Sequence, residues 1–221
     1  MAETVNAPKP GAEGDVGLTL GLILDGGFAR RMGALDKGLV SLAGRPMLAH
    51  AVGRLSPQCG ALAISANGDP ARFAHFGLTV LADDPPDFSG PLAGVLAGLE
   101  YCARRASPLA YVASLPADTP FVPSDFVARL HAARRSGEAA IAVAASGGRR
   151  HHVAALWPAG LASDLRRALI DEGLRKAEAF LARFRVAVAD WEDEPVDPFF
   201  NINSGEDLAR AEAMLASGGA L

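Results

Sequence analysis

The stretch LILDGGFARRMGALDKG, residues 22–38, combines a glycine loop with clustered positive charge. Glycines directly after an apolar run let the backbone approach a ligand, and successive N–H groups can form a nest that binds anions. Arg30, Arg31 and Lys37 could neutralise a triphosphate held in such a loop. The stretch lacks both the G-x-x-x-x-G-K-[ST] and the G-x-G-x-x-G phosphate patterns. From these residues alone, a plain glycine turn with solvated basic side chains is therefore an equally good interpretation.

Acidic residues after two other apolar runs could serve a divalent cation. Asp118 lies between Pro116-Ala117 and Thr119-Pro120. Mg²⁺ usually takes one or two protein carboxylates together with substrate phosphates, so this position suits it. An Asx-type turn is the simpler explanation of Asp118 taken alone. The pair Asp83-Asp84 presents the same two alternatives.

Two amides follow one another closely in the segment FFNINS, residues 199–204. If residues 199–202 form a short strand, alternation sends the side chains of Asn201 and Asn203 to the same side, where both could bind one polar ligand. Turn chemistry ahead of a helix capped by Ser204 is the alternative explanation.

Apolar runs and helical periodicities alternate along the chain. Short strands are predicted at 16–24, 61–66, 78–82, 110–115, 139–145, 153–157, 184–189 and 199–202. The alternation indicates βαβ units, hence an α/β fold with a mostly parallel sheet and helices on both faces. Ligands bind such sheets beyond the carboxyl ends of the strands, at a topological switch point. The loops expected at that edge are 25–37, 65–69, 83–91 and 116–120.

Composition narrows the class of protein. The 221 residues, 50% of them apolar and 21% charged, fit one globular domain, predicted at 17–217 after a flexible tail at 1–16. A net charge of -4 argues against nucleic-acid binding, and no apolar stretch is long enough for a membrane span. Cys59 and Cys102 lack metal-ligand spacing and are typical of a reduced, cytoplasmic protein. The adjacent His151 and His152 would face opposite sides of a strand, so no zinc site is predicted.

Taken together, the loops resemble the MobA-type branch of the nucleotidyltransferase family, the molybdenum cofactor guanylyltransferases. The family pattern L-A-G-G-x-(S/A)-x-R-M-G-x-x-K is similar to residues 24–37, except that Asp25 stands where the family carries Ala and that Lys37 comes one position later than the lysine of the pattern. SGPLAG at 89–94, PADTP at 116–120 and NIN at 201–203 continue the resemblance. It spans about residues 18 to 215 in the family's order.

The resemblance implies a Rossmann-like, three-layer α/β/α nucleotidyltransferase fold and a Mg²⁺-dependent reaction. In that reaction GMP passes from GTP to the molybdenum-molybdopterin cofactor by direct displacement at the α-phosphorus, with release of pyrophosphate. The GTP-binding positions that it implies are Leu24, Asp25, Gly26, Gly27, Lys37, Ser65, Asn67, Asp83, Asp118, Asn201 and Asn203. Lys37, Asp118 and Arg31 would be catalytic, and Asp118 would bind the metal. The partners implied are the two substrates and, transiently, molybdoenzyme apoproteins or cofactor-delivery proteins.

Two other functions remain open at this point. One is a different nucleotidyltransferase, acting with CTP on molybdopterin or on a sugar phosphate; Gly27 favours the guanylyl branch, because related cytidylyl enzymes resemble L-A-A-G there. The other is a nucleotide-binding protein that delivers the cofactor without turnover, against which the presence of Lys37 and Asp118 argues.

Asp25 has three interpretations. Its carboxylate could read guanine N1–H and N2–H₂, it could point to solvent while only its backbone matters, or its charge could repel the triphosphate. The second is preferred, since recognition in this loop of the family uses main-chain groups.

Overall fold

The apolar run that ends at Asp25 forms a buried strand, β1 (Thr19–Leu24). In the computed structural model, which describes residues 12–25, 36–84, 90–104 and 109–217, β1 is an inner strand of a seven-stranded sheet. The other strands of this sheet are β4 (Ala61–Ser65), β5 (Thr79–Leu81), β6 (Tyr111–Pro116), β7 (Ile141–Ser146), β8 (Arg149–Pro158) and β9 (Val186–Trp191). A separate hairpin consists of β2 (Ser41–Leu42) and β3 (Arg45–Pro46).

The strand order is β5–β4–β1–β6–β8–β7–β9. Only β8 runs antiparallel to its neighbours β6 and β7, and the other pairs are parallel. The predicted mostly parallel sheet is therefore confirmed. From β1 the chain moves outward to β4 and β5 and then returns to β6 on the other side of β1, which makes the gap between β1 and β6 a topological switch point.

Helices cover both faces of the sheet, as the three-layer prediction requires. On one face lie α3 (Pro91–Arg104), α5 (Ala162–Ile170) and α6 (Ala177–Leu181), and on the other lie α1 (Ala12–Gly17), α2 (Met47–Leu55) and α4 (Phe126–Ser136). Side chains of β1 alternate accordingly, with Leu20 and Leu22 in the core under α3 and Ile23 in the opposite core. The last helix, α7 (Gly205–Ala216), packs on the β2–β3 hairpin.

Short 3-10 helices complete the described secondary structure, at Lys37–Leu39, Ser56–Gln58, Pro70–Phe76 and Ala159–Leu161. Within the described part of the chain, no helix combines the length and the apolar character that crossing a membrane requires.

The prediction of a strand at 199–202 is wrong, because these residues form no strand. Their backbone amides bind acceptors outside any strand, because Phe199 N donates to the Asp197 carboxylate at 2.9 Å and Ile202 N donates to the carbonyl of Asp118, in the loop after β6, at 3.0 Å. Residues 197–204 consequently form an irregular segment that lies against the end of β6.

Residues 12–16, predicted to belong to a flexible tail, instead form most of α1. Asp15 accepts a hydrogen bond from Arg135 on α4 at 2.5 Å, and Val16 packs against the apolar core. Arg135 lies more than 100 residues away from Asp15 in sequence, so local composition could not reveal this contact.

Helix α3 approaches the sheet closely at a glycine. A Cβ built on Gly94 would lie 2.4 Å from Ser65 Oγ and 2.8 Å from Leu24 Cδ2, whereas one built on Gly53, in α2, would meet nothing within 4 Å. Gly94, the second glycine of the SGPLAG motif, therefore lets α3 contact the last residues of β1 and β4.

We expect Gly94→Ala to lower the free energy of unfolding by about 1–3 kcal/mol, because the added methyl overpacks this contact. Gly53→Ala is the matched control and should raise it by about 0.5–1 kcal/mol, since Gly53 is exposed and alanine is the better helix former. Urea denaturation of both variants measures the difference. Stabilisation by Gly94→Ala would show that the contact has room to spare.

Candidate active site

Lys37 and Asp118 meet beyond the carboxyl ends of β1 and β6. Lys37 Nζ donates to Asp118 Oδ2 at 2.8 Å and also to Asn203 Oδ1. Both charged side chains are largely buried, with 19% of Lys37 and 12% of Asp118 exposed. The ion pair thus joins the 3-10 turn Lys37–Leu39, the loop after β6 and the segment before α7 at one point.

The two predicted amides reach this point with different partners. Asn203 accepts from Lys37, whereas Asn201 Oδ1 accepts from the buried Thr119 hydroxyl at 2.8 Å. Because residues 199–202 are not a strand, the alternation argument for both amides binding one ligand does not hold. Asn201 instead ties its segment to the loop that carries Asp118.

Asp118 keeps one oxygen available for a cation. Its Oδ1 is buried and has no hydrogen-bond partner among the described residues, while Oδ2 is bound by Lys37. No cluster of three or more histidine, cysteine or acidic side chains able to hold a metal occurs in the described ranges. A single protein carboxylate next to a phosphate site suits Mg²⁺, which takes many of its ligands from phosphate and water.

Asn67 and Asp83 form a second polar pair, at the ends of β4 and β5. Asn67 Nδ2 donates to Asp83 Oδ2 at 2.7 Å, and Asp83 N donates to Asn67 Oδ1 at 2.9 Å. Burial raises the pKa of Asp83, and the Asn67 amide opposes that shift. The pairing fixes both side chains at the edge where a ligand of this fold binds.

Leu24 and Ser65 contribute backbone atoms to the same edge. Leu24 O accepts from Ala117 N at 3.0 Å, and Ser65 O accepts from Asp25 N at 2.8 Å. The Ser65 hydroxyl is buried against Gly94 of α3. Asn67, in the loop after β4, has a half-buried polar side chain at the carboxyl edge of the sheet.

Asp25 is buried, with 3% of its surface exposed. Oδ1 accepts from Gly38 N at 3.0 Å, and Oδ2 has no hydrogen-bond partner among the described residues. Burial raises the pKa of this carboxyl to about 7; the charges of Asp36 and Asp118 add to the shift, while the Gly38 amide and Arg72 oppose it. A side chain so enclosed does not point to solvent, and its bound oxygen faces a backbone amide.

A family model described as the MobA-like NTP transferase domain matches residues 21–188. The chain belongs to the MobA-like NTP transferase family. A molybdenum cofactor guanylyltransferase from Rhodopseudomonas palustris is 55% identical over 194 residues, which cover 88% of this chain and 92% of that protein. One from a Bradyrhizobium species is 53% identical over 196 residues, covering 89% and 92%.

The fold is shared with a solved structure as well. Molybdopterin-guanine dinucleotide biosynthesis protein A from Archaeoglobus fulgidus superposes with a TM-score of 0.71 at 22% identity, over 90% of this chain and 99% of that one. The family resemblance, the nucleotidyltransferase fold and the assignment to the nucleotidyltransferase class of enzymes are therefore confirmed.

Three predicted site residues of this MobA-like chain lie outside the described residues, namely Gly26, Gly27 and Arg31. Their roles stay predictions. Of the nine remaining predicted residues, Leu24, Asp25 and Ser65 lie at the carboxyl ends of β1 and β4, and the other six form two groups at the same edge of the sheet. Lys37, Asp118, Asn201 and Asn203 form the group beyond β6, and Asn67 and Asp83 form the group beyond β4 and β5.

Arg72 links the two groups and was not predicted. Its Nε pairs with Asp36 Oδ2 at 2.5 Å, and its Nη2 donates to Asn67 O at 2.5 Å. Arg72 therefore connects Asp36, the residue before Lys37, to Asn67, whose side chain binds Asp83. The sequence gives no sign of this role for Arg72, because Asp36 lies 36 residues upstream and Asn67 lies in the preceding loop.

Asp197 anchors the irregular segment and was also missed. Its Oδ1 accepts from Ser146 Oγ at 2.7 Å and from Phe199 N at 2.9 Å. Ser146 Oγ in turn lies 2.8 Å from His151 Nε2, and the His151 ring lies 4.7 Å from that of Phe199. His151 is thus part of a structural hydrogen-bond chain at the end of β7. The Asp-Pro dipeptide at 197–198 was the available turn signal.

Asp25→Asn should change the pH dependence of stability. Because the pKa of Asp25 rises from 3.8 to about 7 on folding, the folded chain holds a proton that the unfolded chain has lost. This group therefore lowers the free energy of unfolding as pH rises between about 4 and 7. We expect the stability of Asp25→Asn relative to the parent to increase from about pH 5 to about pH 8 in urea denaturation. Asp171→Asn, at an exposed site, is the control, and a constant difference for Asp25→Asn would contradict the expectation.

Proposed function

We propose that this chain transfers GMP from GTP to the molybdenum-molybdopterin cofactor and releases pyrophosphate. The observation that carries the proposal is the meeting of Lys37, Asp118 and Asn203 at the switch point, in a chain 55% identical to a molybdenum cofactor guanylyltransferase. The relatives' name favours this reaction over transfer of CMP or transfer to a sugar phosphate.

Lys37 would act as a point charge on the phosphates. Attack of a cofactor phosphate oxygen on the α-phosphorus expels pyrophosphate directly, so the protein positions the groups and offsets the charge that builds on the leaving group. The Lys37 ammonium, oriented by Asp118 and Asn203, suits that task, and Arg31 is proposed to share it. No side-chain nucleophile is needed for such a displacement.

Asp118 Oδ1 would hold Mg²⁺, since it is a buried carboxylate oxygen without a hydrogen-bond partner among the described residues. When bound there, Mg²⁺ would act as a Lewis acid that stabilises negative charge on the phosphates. Asp118 would therefore serve two cations, one at each oxygen. This arrangement would keep Lys37 beside the metal-bound phosphates.

We assign the nucleotide to the surface between the two groups of side chains. Leu24, Gly26 and Gly27 would contact it through the backbone, and Asn67 with Asp83 would bound it on the side of β4 and β5. The predicted contact of Ser65 passes to Asn67 in this proposal, because the Ser65 hydroxyl is buried under α3.

A cofactor-delivery protein that binds GTP without turnover is the second candidate function. The ion pair of Lys37 and Asp118 speaks against it, since binding alone does not require a cation held beside a carboxylate with a free oxygen. Transient contact with molybdoenzyme apoproteins or delivery proteins belongs to the proposal as well. So does a cytoplasmic location, which is supported by two cysteines that form no disulfide in the described residues.

Pyrophosphate release tests the reaction. The purified chain should release pyrophosphate from GTP only with Mg²⁺ and the molybdopterin cofactor present, and poorly from CTP or ATP. Lys37→Ala should reduce the rate about a hundredfold or more, as expected for loss of a charge that stabilises the transition state. Arg183→Ala, which removes a cation paired with Glu172 ahead of β9 at the opposite edge of the sheet, should leave the rate unchanged. GTP binding without pyrophosphate release would favour the delivery protein.

Asp118→Asn tests the metal site separately. The substitution replaces the carboxylate by a neutral amide of nearly the same size. We therefore expect the Mg²⁺ concentration for half-maximal pyrophosphate release to rise about tenfold or more. The magnesium titration is run beside that of Asp164→Asn, whose carboxylate pairs with Arg167 on α5, outside the candidate site. An unchanged titration for Asp118→Asn would remove Asp118 as the metal ligand.

A further inference from the structure

The 3-10 turn that carries Lys37 lacks a cap from its own N-terminal residue. Asp36 occupies the N-cap position, where an aspartate usually accepts a hydrogen bond from an amide in the first turn. Here the Asp36 side chain makes no such bond and pairs with Arg72 instead, at 2.5 Å. The turn therefore depends on another acceptor for its first free amides.

Asp25 supplies that acceptor from the end of β1. Its Oδ1 receives the Gly38 N–H at 3.0 Å in a buried contact that spans 13 residues of sequence. We propose that Asp25 is a positioning residue, which holds the turn Lys37–Leu39 against the sheet so that the Lys37 ammonium reaches Asp118 and Asn203. The inference rests on the proposed function, in which Lys37 acts on the phosphates.

The shapes of Asp25 and Gly38 match. A Cβ built on Gly38 would lie 2.7 Å from Asp25 Oδ2, 3.0 Å from Cγ and 3.2 Å from Oδ1. Gly38 lies in a 3-10 turn, a conformation open to other residues, so glycine is needed there for space and not for its backbone angles. The carboxylate thus packs flat on the turn as well as binding its amide.

The arrangement is unfavourable for stability. Asp25 is 3% exposed, and Oδ2 has no hydrogen-bond partner in the described part of the chain. A buried carboxylate with an unsatisfied oxygen opposes folding, and the raised pKa of Asp25 reflects this. The contribution of Asp25 is therefore expected in the position of Lys37, not in the free energy of unfolding.

Two substitutions separate these contributions. Asp25→Ala removes the acceptor, so kcat for pyrophosphate release should fall about tenfold, the effect of one hydrogen bond on a charged group, while the thermal midpoint stays level or rises. Asp25→Asn keeps an oxygen acceptor for Gly38 N–H and should keep kcat within about twofold of the parent. An unchanged kcat in Asp25→Ala would overturn the inference. Equal losses in the two variants, or losses that follow a lower thermal midpoint, would overturn it too.

Gly38→Ala tests the same contact from the other side. In the parent chain the added methyl meets the carboxylate and should lower kcat, whereas in the Asp25→Ala background the space is free and no further loss is expected. Additive losses would contradict the contact.

Lys37→Ala, measured in parallel, keeps the two proposals apart. If it loses activity while Asp25→Ala does not, only the role of Asp25 fails. If Lys37→Ala keeps full activity, the proposed function of Lys37 fails and the role of Asp25 fails with it.

Discussion

The ion pair between Lys37 and Asp118 joins residues that are 81 positions apart in sequence. The sheet makes this contact possible, because β1 and β6 are parallel neighbours in which Leu24 lies opposite Pro116. The loops that leave these strands therefore start side by side, and Asp118 needs only two further residues to meet the turn of Lys37. Asn203 then joins a third segment to the pair. Without the pair, two opposite charges would be left largely buried and uncompensated, which is strongly destabilising.

Glycines in two motifs of this family member are needed for packing. Gly94 of the SGPLAG motif lets α3 contact Leu24 and Ser65, the last residues of two strands whose loops build the site. Gly38, next to the predicted lysine, leaves the room that the Asp25 carboxylate fills. In both places a missing side chain sets how closely one element approaches another. The geometry of the candidate site therefore depends on close contacts beneath it.

The sequence predicted what depends on local pattern. Apolar runs and alternating helices predicted the mostly parallel sheet, and the loops expected at its carboxyl edge include those of Lys37 and Asp118. The contact between the two side chains was not predicted. The segment 199–202 has the composition of a strand, but its amides bind the Asp197 carboxylate and the Asp118 carbonyl, and periodicity cannot reveal such partners. Arg72 was missed for a related reason, since its role comes from Asp36 and Asn67, which only the folded chain brings together.

The burial of Asp25 overturns the interpretation that was preferred from sequence. A carboxylate that is 3% exposed does not point to solvent, and its Oδ1 binds Gly38 N–H. Burial raises the pKa of Asp25 to about 7, so its carboxyl carries less negative charge at neutral pH than an exposed aspartate does. Oδ1 can accept from Gly38 N–H whether or not Oδ2 carries a proton, so the contact between Asp25 and the turn of Lys37 does not depend on the ionisation of Asp25.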